Sequence, residues 1–188
     1  MCDRLFSMLN SIHPMSPELE EHLRSILVTK QLPKRSVLLQ RGRVCRYVYF
    51  IEKGLLHCYY EKNERSVTSW FMKEDDVIIS AESFYLQVPS QDTIVALEDT
   101  IVHGISYDEL QFIYRNFMEF NIIGRVLTTK YYILSEERLF NLRKEKARDR
   151  YLFLLNSQPE IINRAAAKHI ASYLGISEET LSRIRSNI

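Results

Sequence analysis

The chain has 188 residues, 46% hydrophobic and 26% charged, the balance of an ordinary globular protein of one large domain or two small ones. No apolar run reaches the roughly 18 to 20 residues of a membrane-spanning helix, and MCDRLFSMLNSIHPM, with Asp3 and Arg4, lacks the form of a signal peptide. Net charge is +1, and Cys2, Cys45 and Cys58 are an odd, scattered set without a C-x-x-C pair, which argues against a disulfide framework or zinc site and for a reducing cytoplasm.

In chain order, Ser16-Pro17-Glu18 opens the first predicted helix, with a capping hydroxyl, a first-turn proline and acids at the positive helix end. Leu19, Leu23, Ile26 and Leu27 follow at helical spacing. After Pro33 the texture changes. Residues 36–60 are rich in Val, Leu, Ile, Tyr and Phe, punctuated by Arg41-Gly42 and Lys53-Gly54, as short strands joined by tight turns would be. Segments 67–72, 77–79, 93–97 and 101–106 continue the rhythm, which predicts a small antiparallel barrel or jelly roll of about seven or eight strands. With few glycines in the chain, Gly42 and Gly54 mark turns whose backbone would strain another residue.

Residues 108–142 contain no proline, and only Gly124 interrupts apolar positions spaced by threes and fours, among them Leu110, Ile113, Phe117, Phe120, Ile123 and Leu127. This predicts one helix about 50 Å long, with one face on the barrel and another free to pair with a second copy. A helix packed only within its own domain has the same pattern. Residues 143–150 form a charged junction, and a short helix over 151–156 stops before Pro159. The fold class is α+β, in three parts: a barrel with an N-terminal helix (1–107), a connecting and dimerisation helix (108–142), and a C-terminal unit (143–188).

That C-terminal unit holds nine Lys/Arg against five Asp/Glu, or +4, whereas the preceding 142 residues hold 16 against 19, or −3. Such a gradient suits phosphate contact, although a solvated basic surface has the same composition. The sequence RAAAKHIASYLGISEETLSRIRSNI is sharper. With Ala167 as the first position of a helix-turn-helix, Ile170 and Leu174 face inward and Ala171 is small where the second helix crosses. Gly175 takes the turn, Ile176 plugs the corner, Ser177 caps the second helix, and Leu181 and Ile184 return to the core. The polar front comprises Ser177, Glu178, Glu179, Thr180, Ser182, Arg183 and Arg185. Arg183 can fork onto a guanine edge and Glu179 can accept from a cytosine amino group, while Lys168, Ser177 and Thr180 suit phosphates. The bland alternative is a helical hairpin that merely closes a core.

From about Ser16 onward the chain resembles the Crp-Fnr family of bacterial transcription regulators. The resemblance rests chiefly on ISYDEL at 105–110 and LGISEETLSRI at 174–184. It implies a cyclic-nucleotide-binding-type barrel, a long dimerisation helix and a winged helix-turn-helix, here with little or no wing after the recognition helix. It also implies DNA contacts through S-x-E-T-x-x-R, which falls on Ser177, Glu179, Thr180 and Arg183, a homodimer paired through 108–142, and RNA polymerase as a further partner. Glu178 stands where the best-known members carry arginine, so the target sequence is expected to differ.

The sensor half departs from that pattern. Members that bind cyclic AMP cradle its phosphate with G-E-L/I-G followed by R-S/T-A. Here the arginine position falls on Ser90 and the next on Gln91, with no Arg or Lys between Lys73 and Arg115. Glu82, beside Ser83, alone resembles the acid that holds the ribose, and the base-covering positions fall on Ser135 and Glu136. An effector pocket of Glu82, Ser83, Ser90, Gln91 and Ser135 therefore meets an anion without a cation, and tight binding of cyclic AMP is not expected. Iron–sulfur or haem sensing finds no ligand set among the scattered Cys and His residues, no metal site is indicated, and the effector stays unidentified. Cys45 and Cys58 read as small buried hydrophobes, while Tyr47, Tyr49, Phe50, Tyr59, Tyr60, Trp70, Phe71, Phe84 and Tyr85 either line an apolar pocket or fill the barrel core, the second being the safer reading. The expected function is a cytoplasmic, non-enzymatic DNA-binding regulator with no membrane partner. The competing reading is a ligand-responsive module whose C-terminal helices bind a protein. No Walker loop, H-E-x-x-H or nucleophile elbow supports an enzyme.

Overall fold

The computed structural model describes residues 2–144 and 146–187. Ile188, the last residue of the predicted C-terminal unit, and position 145 of the charged junction lie outside the described residues. Two short helices open the chain. α1 (Asp3–Ile12) buries Leu5, Phe6 and Leu9, whose spacing places them on one face. It goes beyond the sequence reading, which began its first helix at Ser16. α2 (Pro17–Ile26) starts as that reading expected: the Ser16 hydroxyl accepts the Leu19 N–H at 3.2 Å, and Leu19 and Leu23 are fully buried.

Eight strands follow among the described residues: β1 (Val28–Leu32), β2 (Val37–Leu39), β3 (Tyr47–Lys53), β4 (Leu56–Lys62), β5 (Arg65–Met72), β6 (Val77–Ile78), β7 (Asp92–Ala96) and β8 (Thr100–Ser106). They pair antiparallel in two four-stranded sheets, ordered β1-β8-β3-β6 and β2-β7-β4-β5. Ile51, Leu56, Ile78, Ile94 and Val102 close the jelly-roll core. Gly54 turns β3 into β4 at φ +106°, where an added Cβ would come within 2.7 Å of Thr100 Cα. A short helix, α3 (Ala81–Leu86), bridges β6 and β7.

The single helix expected over 108–142 is two. α4 (Tyr107–Asn116), capped by the Ser106 hydroxyl on the Glu109 N–H, ends at Phe117, whose backbone is extended (φ −125°, ψ 97°). α5 (Met118–Lys144) then runs alone. The break is stabilised because the Asn121 side-chain amide donates to the Tyr114 carbonyl at 2.9 Å, satisfying a group the helix end leaves open. Gly124 lies where Tyr114 crosses α5: a Cβ there would meet Tyr114 Cε1 at 2.6 Å.

α6 (Ala147–Ser157), α7 (Pro159–Arg164), α8 (Ala167–Leu174) and α9 (Glu178–Ser186) complete the chain. Pro159 does not simply stop α6. It begins α7 at a position where its missing N–H is no loss. Among the described residues, no helix is long and apolar enough to cross a membrane.

Candidate nucleic-acid interface

The α8–turn–α9 unit is built from its own sequence chemistry. Ile170, Ala171, Leu174 and Leu181 are buried together with Tyr151 and Leu154 of α6, and Ile176 and Ile184 pack against them. Gly175 ends α8 in the left-handed conformation at φ +65°, and its N–H and that of Ile176 return to the carbonyls of Ser172 and Ala171. The Ser177 hydroxyl caps α9 on the Thr180 N–H at 3.2 Å. Leu181 is only 1% exposed and holds α9 from behind.

Lys168, Ser177, Glu178, Glu179, Arg183 and Arg185 are exposed, and Thr180 is half-buried. Ser177, Thr180 and Arg183 form one short network. Ser177 and Thr180 hydroxyls lie 3.1 Å apart, and the Arg183 guanidinium donates to Thr180 Oγ1 at 3.2 Å. A hydrogen bond from Ser177, then the backbone and the Arg183 charge, lower the Glu179 carboxyl, so it presents an acceptor-only anion. Arg185 leans back toward the Tyr151 ring, 5.8 Å from its centroid. Lys168 stands apart on the first turn of α8.

Behind this front, α8 is fastened to the barrel. The Ser172 hydroxyl accepts the Thr68 N–H at 2.9 Å and donates to the Ser66 carbonyl at 3.2 Å. Arg138 of α5 donates to the carbonyls of Thr68 and Tyr173, each at 3.1 Å, and stacks 3.6 Å from the Tyr173 ring centroid. The His57 and His169 rings lie 4.2 Å apart, and His57 Nε2 is 2.9 Å from the Thr68 hydroxyl. Burial, followed by the neighbouring His169 and Lys168 charges, pulls His57 down to about 3. Arg164 reaches from α7 to Glu74 at 2.9 Å and Glu98 at 2.5 Å. Burial alone would raise the Glu74 carboxyl, but hydrogen bonds from Arg164 and the Gly54 N–H outweigh it and hold it at about 2. Sequence reasoning missed Arg138, Arg164, His169 and Ser172, since nothing local marks them as bridging residues.

Of the five residues expected to form an effector pocket, Glu82, Ser83, Ser90 and Gln91 sit on α3 or just before β7, apart from Ser135 on α5. Ser83 and Ser90 are buried and already hydrogen-bonded: Ser83 accepts the Cys45 N–H and donates to the Val88 carbonyl, and Ser90 bonds Ser80 and Asp92. Glu82 and Gln91 are exposed on the surface. Ser135 lines a cavity between α1, the barrel and α5 that the other four do not line. Burial, ahead of all other causes, raises the Cys58 thiol to about 12 and also raises Cys45.

Residues 29–117 match the cyclic nucleotide-binding domain family. No curated protein sequence matches the chain. Among solved structures the chain is similar to FixK2 from Bradyrhizobium japonicum (TM-score 0.72, 19% identity, covering 86% of this chain and 84% of that one). It is also similar to the c-di-GMP responsive global regulator CLP of Xanthomonas campestris (0.70, 16%, 92% and 91%). The catabolite activator protein of Thermus thermophilus matches at 0.56 with 18% identity, over 96% and 85%. The fold is therefore the one these structures share, a cyclic-nucleotide-binding-type jelly roll followed by a long helix and C-terminal helices.

Proposed function

We propose that this chain, a cyclic-nucleotide-binding-type barrel joined to a helix-turn-helix in the Crp-Fnr arrangement, is a sequence-specific DNA-binding transcription regulator that does not respond to cyclic AMP. One observation carries the reading. α9 is held from behind by Leu181 and Ile184 and keeps Ser177, Glu179 and Arg183 toward solvent. Lys168, Glu178, Thr180 and Arg185 complete the surface offered to a duplex. An amphipathic helix of this kind enters the major groove with its polar front on base edges and phosphates.

A homodimer through α5 is part of the proposal. Ile122, Val126 and Ile133 are 38%, 39% and 50% exposed, and their spacing of four and seven residues aligns them on one side of the helix, opposite Phe120, Gly124 and Tyr131. Such a stripe suits a parallel seam with a second copy. Two recognition helices would then meet half-sites about 34 Å apart. RNA polymerase as a further partner and a cytoplasmic location follow from the same reading. Cyclic AMP is disfavoured because Ser90 occupies the place of the phosphate-binding arginine and is already bonded internally.

Selection of the full-length protein on a random duplex library tests the reading. The expected result is a two-fold-symmetric site whose affinity falls steeply with salt. Recovery of no preferred sequence, with the protein folded, would overturn it.

A further inference from the structure

A cavity of about 350 Å³ opens between α1, the β3 and β8 side of the barrel and α5. Folded interiors are close-packed, and an apolar cavity of roughly 150 Å³ already accommodates benzene, so this space is of ligand size. Leu5, Met8 and Leu9 of α1 roof it, and Phe50, Trp70 and Phe84 wall it from the barrel. None of the residues lining it is Asp, Glu, Lys or Arg. The one imidazole, His103, is 4% exposed. Burial lowers it, against the opposing pull of Glu52 at 3.6 Å, and keeps the ring neutral near pH 7. On the α5 side, the exposed residues Thr128, Tyr132 and Ser135 give the cavity a polar rim.

The cavity also touches the interdomain contact. Trp70 is the only tryptophan of the chain, and its ring lies 5.9 Å from the Arg138 guanidinium carbon. Arg138 in turn stacks on Tyr173 and bonds the carbonyls of Thr68 and Tyr173. Trp70 therefore stands between the cavity and the guanidinium that joins β5 to α8. Tyr131, whose hydroxyl accepts the Val77 N–H at 2.6 Å, ties the same stretch of α5 to β6.

We propose that this cavity binds a neutral, largely apolar small molecule, and that occupancy is passed through Trp70 and Arg138 to the helix-turn-helix. The second half bears on transcription through the regulator reading above, whereas the binding site stands on the cavity itself. A charged ligand would lose its hydration with no counter-charge on the cavity wall.

The test uses the full chain and the neutral fluorophore N-phenyl-1-naphthylamine. It is expected to quench Trp70 saturably, at one probe per chain, and to remain bound when cyclic AMP is added. Thr128→Phe and Ala81→Phe, which narrow the cavity from two sides, are each expected to weaken the probe about tenfold or more without lowering the thermal midpoint. Bound probe should also change hydrogen exchange at the α8 amides, an effect lost in Arg138→Met. Absence of saturable quenching up to about 100 µM, or unchanged affinity in both well-folded variants, overturns the site. Unchanged α8 exchange at saturation overturns the coupling. Probe binding to a protein that selects no DNA sequence would sink the regulator reading and leave the site standing.

Discussion

Arg183 lies one turn beyond Thr180 and is oriented by its hydrogen bond to Thr180 Oγ1, so less side-chain freedom would be lost in the proposed contact with a base. Arg183→Ala is expected to cost about 1 to 3 kcal/mol on the selected site and little on random duplex, measured by parallel titrations. Equal losses on both would reassign Arg183 to phosphate contact. His57 makes a different prediction. Its ordinary value of 6.5 is drawn to about 3 by burial and then by His169 and Lys168, with Thr68, Tyr59 and Phe71 as its uncharged neighbours. The folded protein therefore binds fewer protons than the unfolded chain between those values. Its contribution is intact above about pH 6.5 and is lost progressively as pH falls toward 3. Thermal midpoints recorded across that range should fall less steeply in His57→Phe than in the parent. The slope left in His57→Phe would include His169, which burial also lowers.

At the scale of elements, α5 has two working faces. Phe120, Gly124 and Tyr131 face the cavity and barrel, while Ile122, Val126 and Ile133 lie exposed on the other side. The break at Phe117 frees α5 from the direction of α4, which stays against β8. Charging the exposed stripe should therefore disrupt pairing without disturbing the barrel. The double change Val126→Glu and Ile133→Glu is expected to raise the dimer dissociation constant by at least about tenfold, or ~1.4 kcal/mol, in native mass spectrometry. An unaltered dimer would place the interface elsewhere. Should the parent itself be monomeric at all concentrations, the dimer proposal falls.

Across the whole molecule, the orientation of the helix-turn-helix depends on a few polar bridges over a small apolar contact of Leu55, Phe71 and Ile161. Arg138 supplies two hydrogen bonds and a ring stack at one point, and Arg164 supplies paired contacts to Glu74 and Glu98 at another. Arg138→Met keeps much of the apolar stem but leaves the Thr68 and Tyr173 carbonyls without that donor. The free energy of local opening at α8, read from amide exchange, is expected to fall by about 1 to 3 kcal/mol, while strands of the barrel core keep their protection. Loss of protection throughout the barrel would show that Arg138 supports the global fold instead. Acid acts on the second bridge: the Glu74 carboxyl, held at about 2, contributes fully above its ordinary 4.5 and loses that contribution as pH drops toward 2.

The amino-acid sequence by itself determined the parts whose causes lie within a few residues. Ser16 and Ser177 cap their helices, Gly54 and Gly175 take positive φ, and Ala171 and Leu181 bury where a helix-turn-helix requires them. The helical spacing of apolar residues such as Ile170 and Leu174 belongs to the same class, because such periodicity is local. Tertiary structure alone decided the rest. It split the predicted helix at Phe117, set Ser135 on α5 apart from the other expected effector residues, decided between an apolar pocket and a filled core on one side of the barrel, and brought Trp70, Arg138 and Tyr173 into contact. Those groups are distant along the chain, and their meeting depends on how finished elements pack against one another. A sequence records which surfaces are apolar, but not which of two apolar surfaces will close on each other and which will leave room between them.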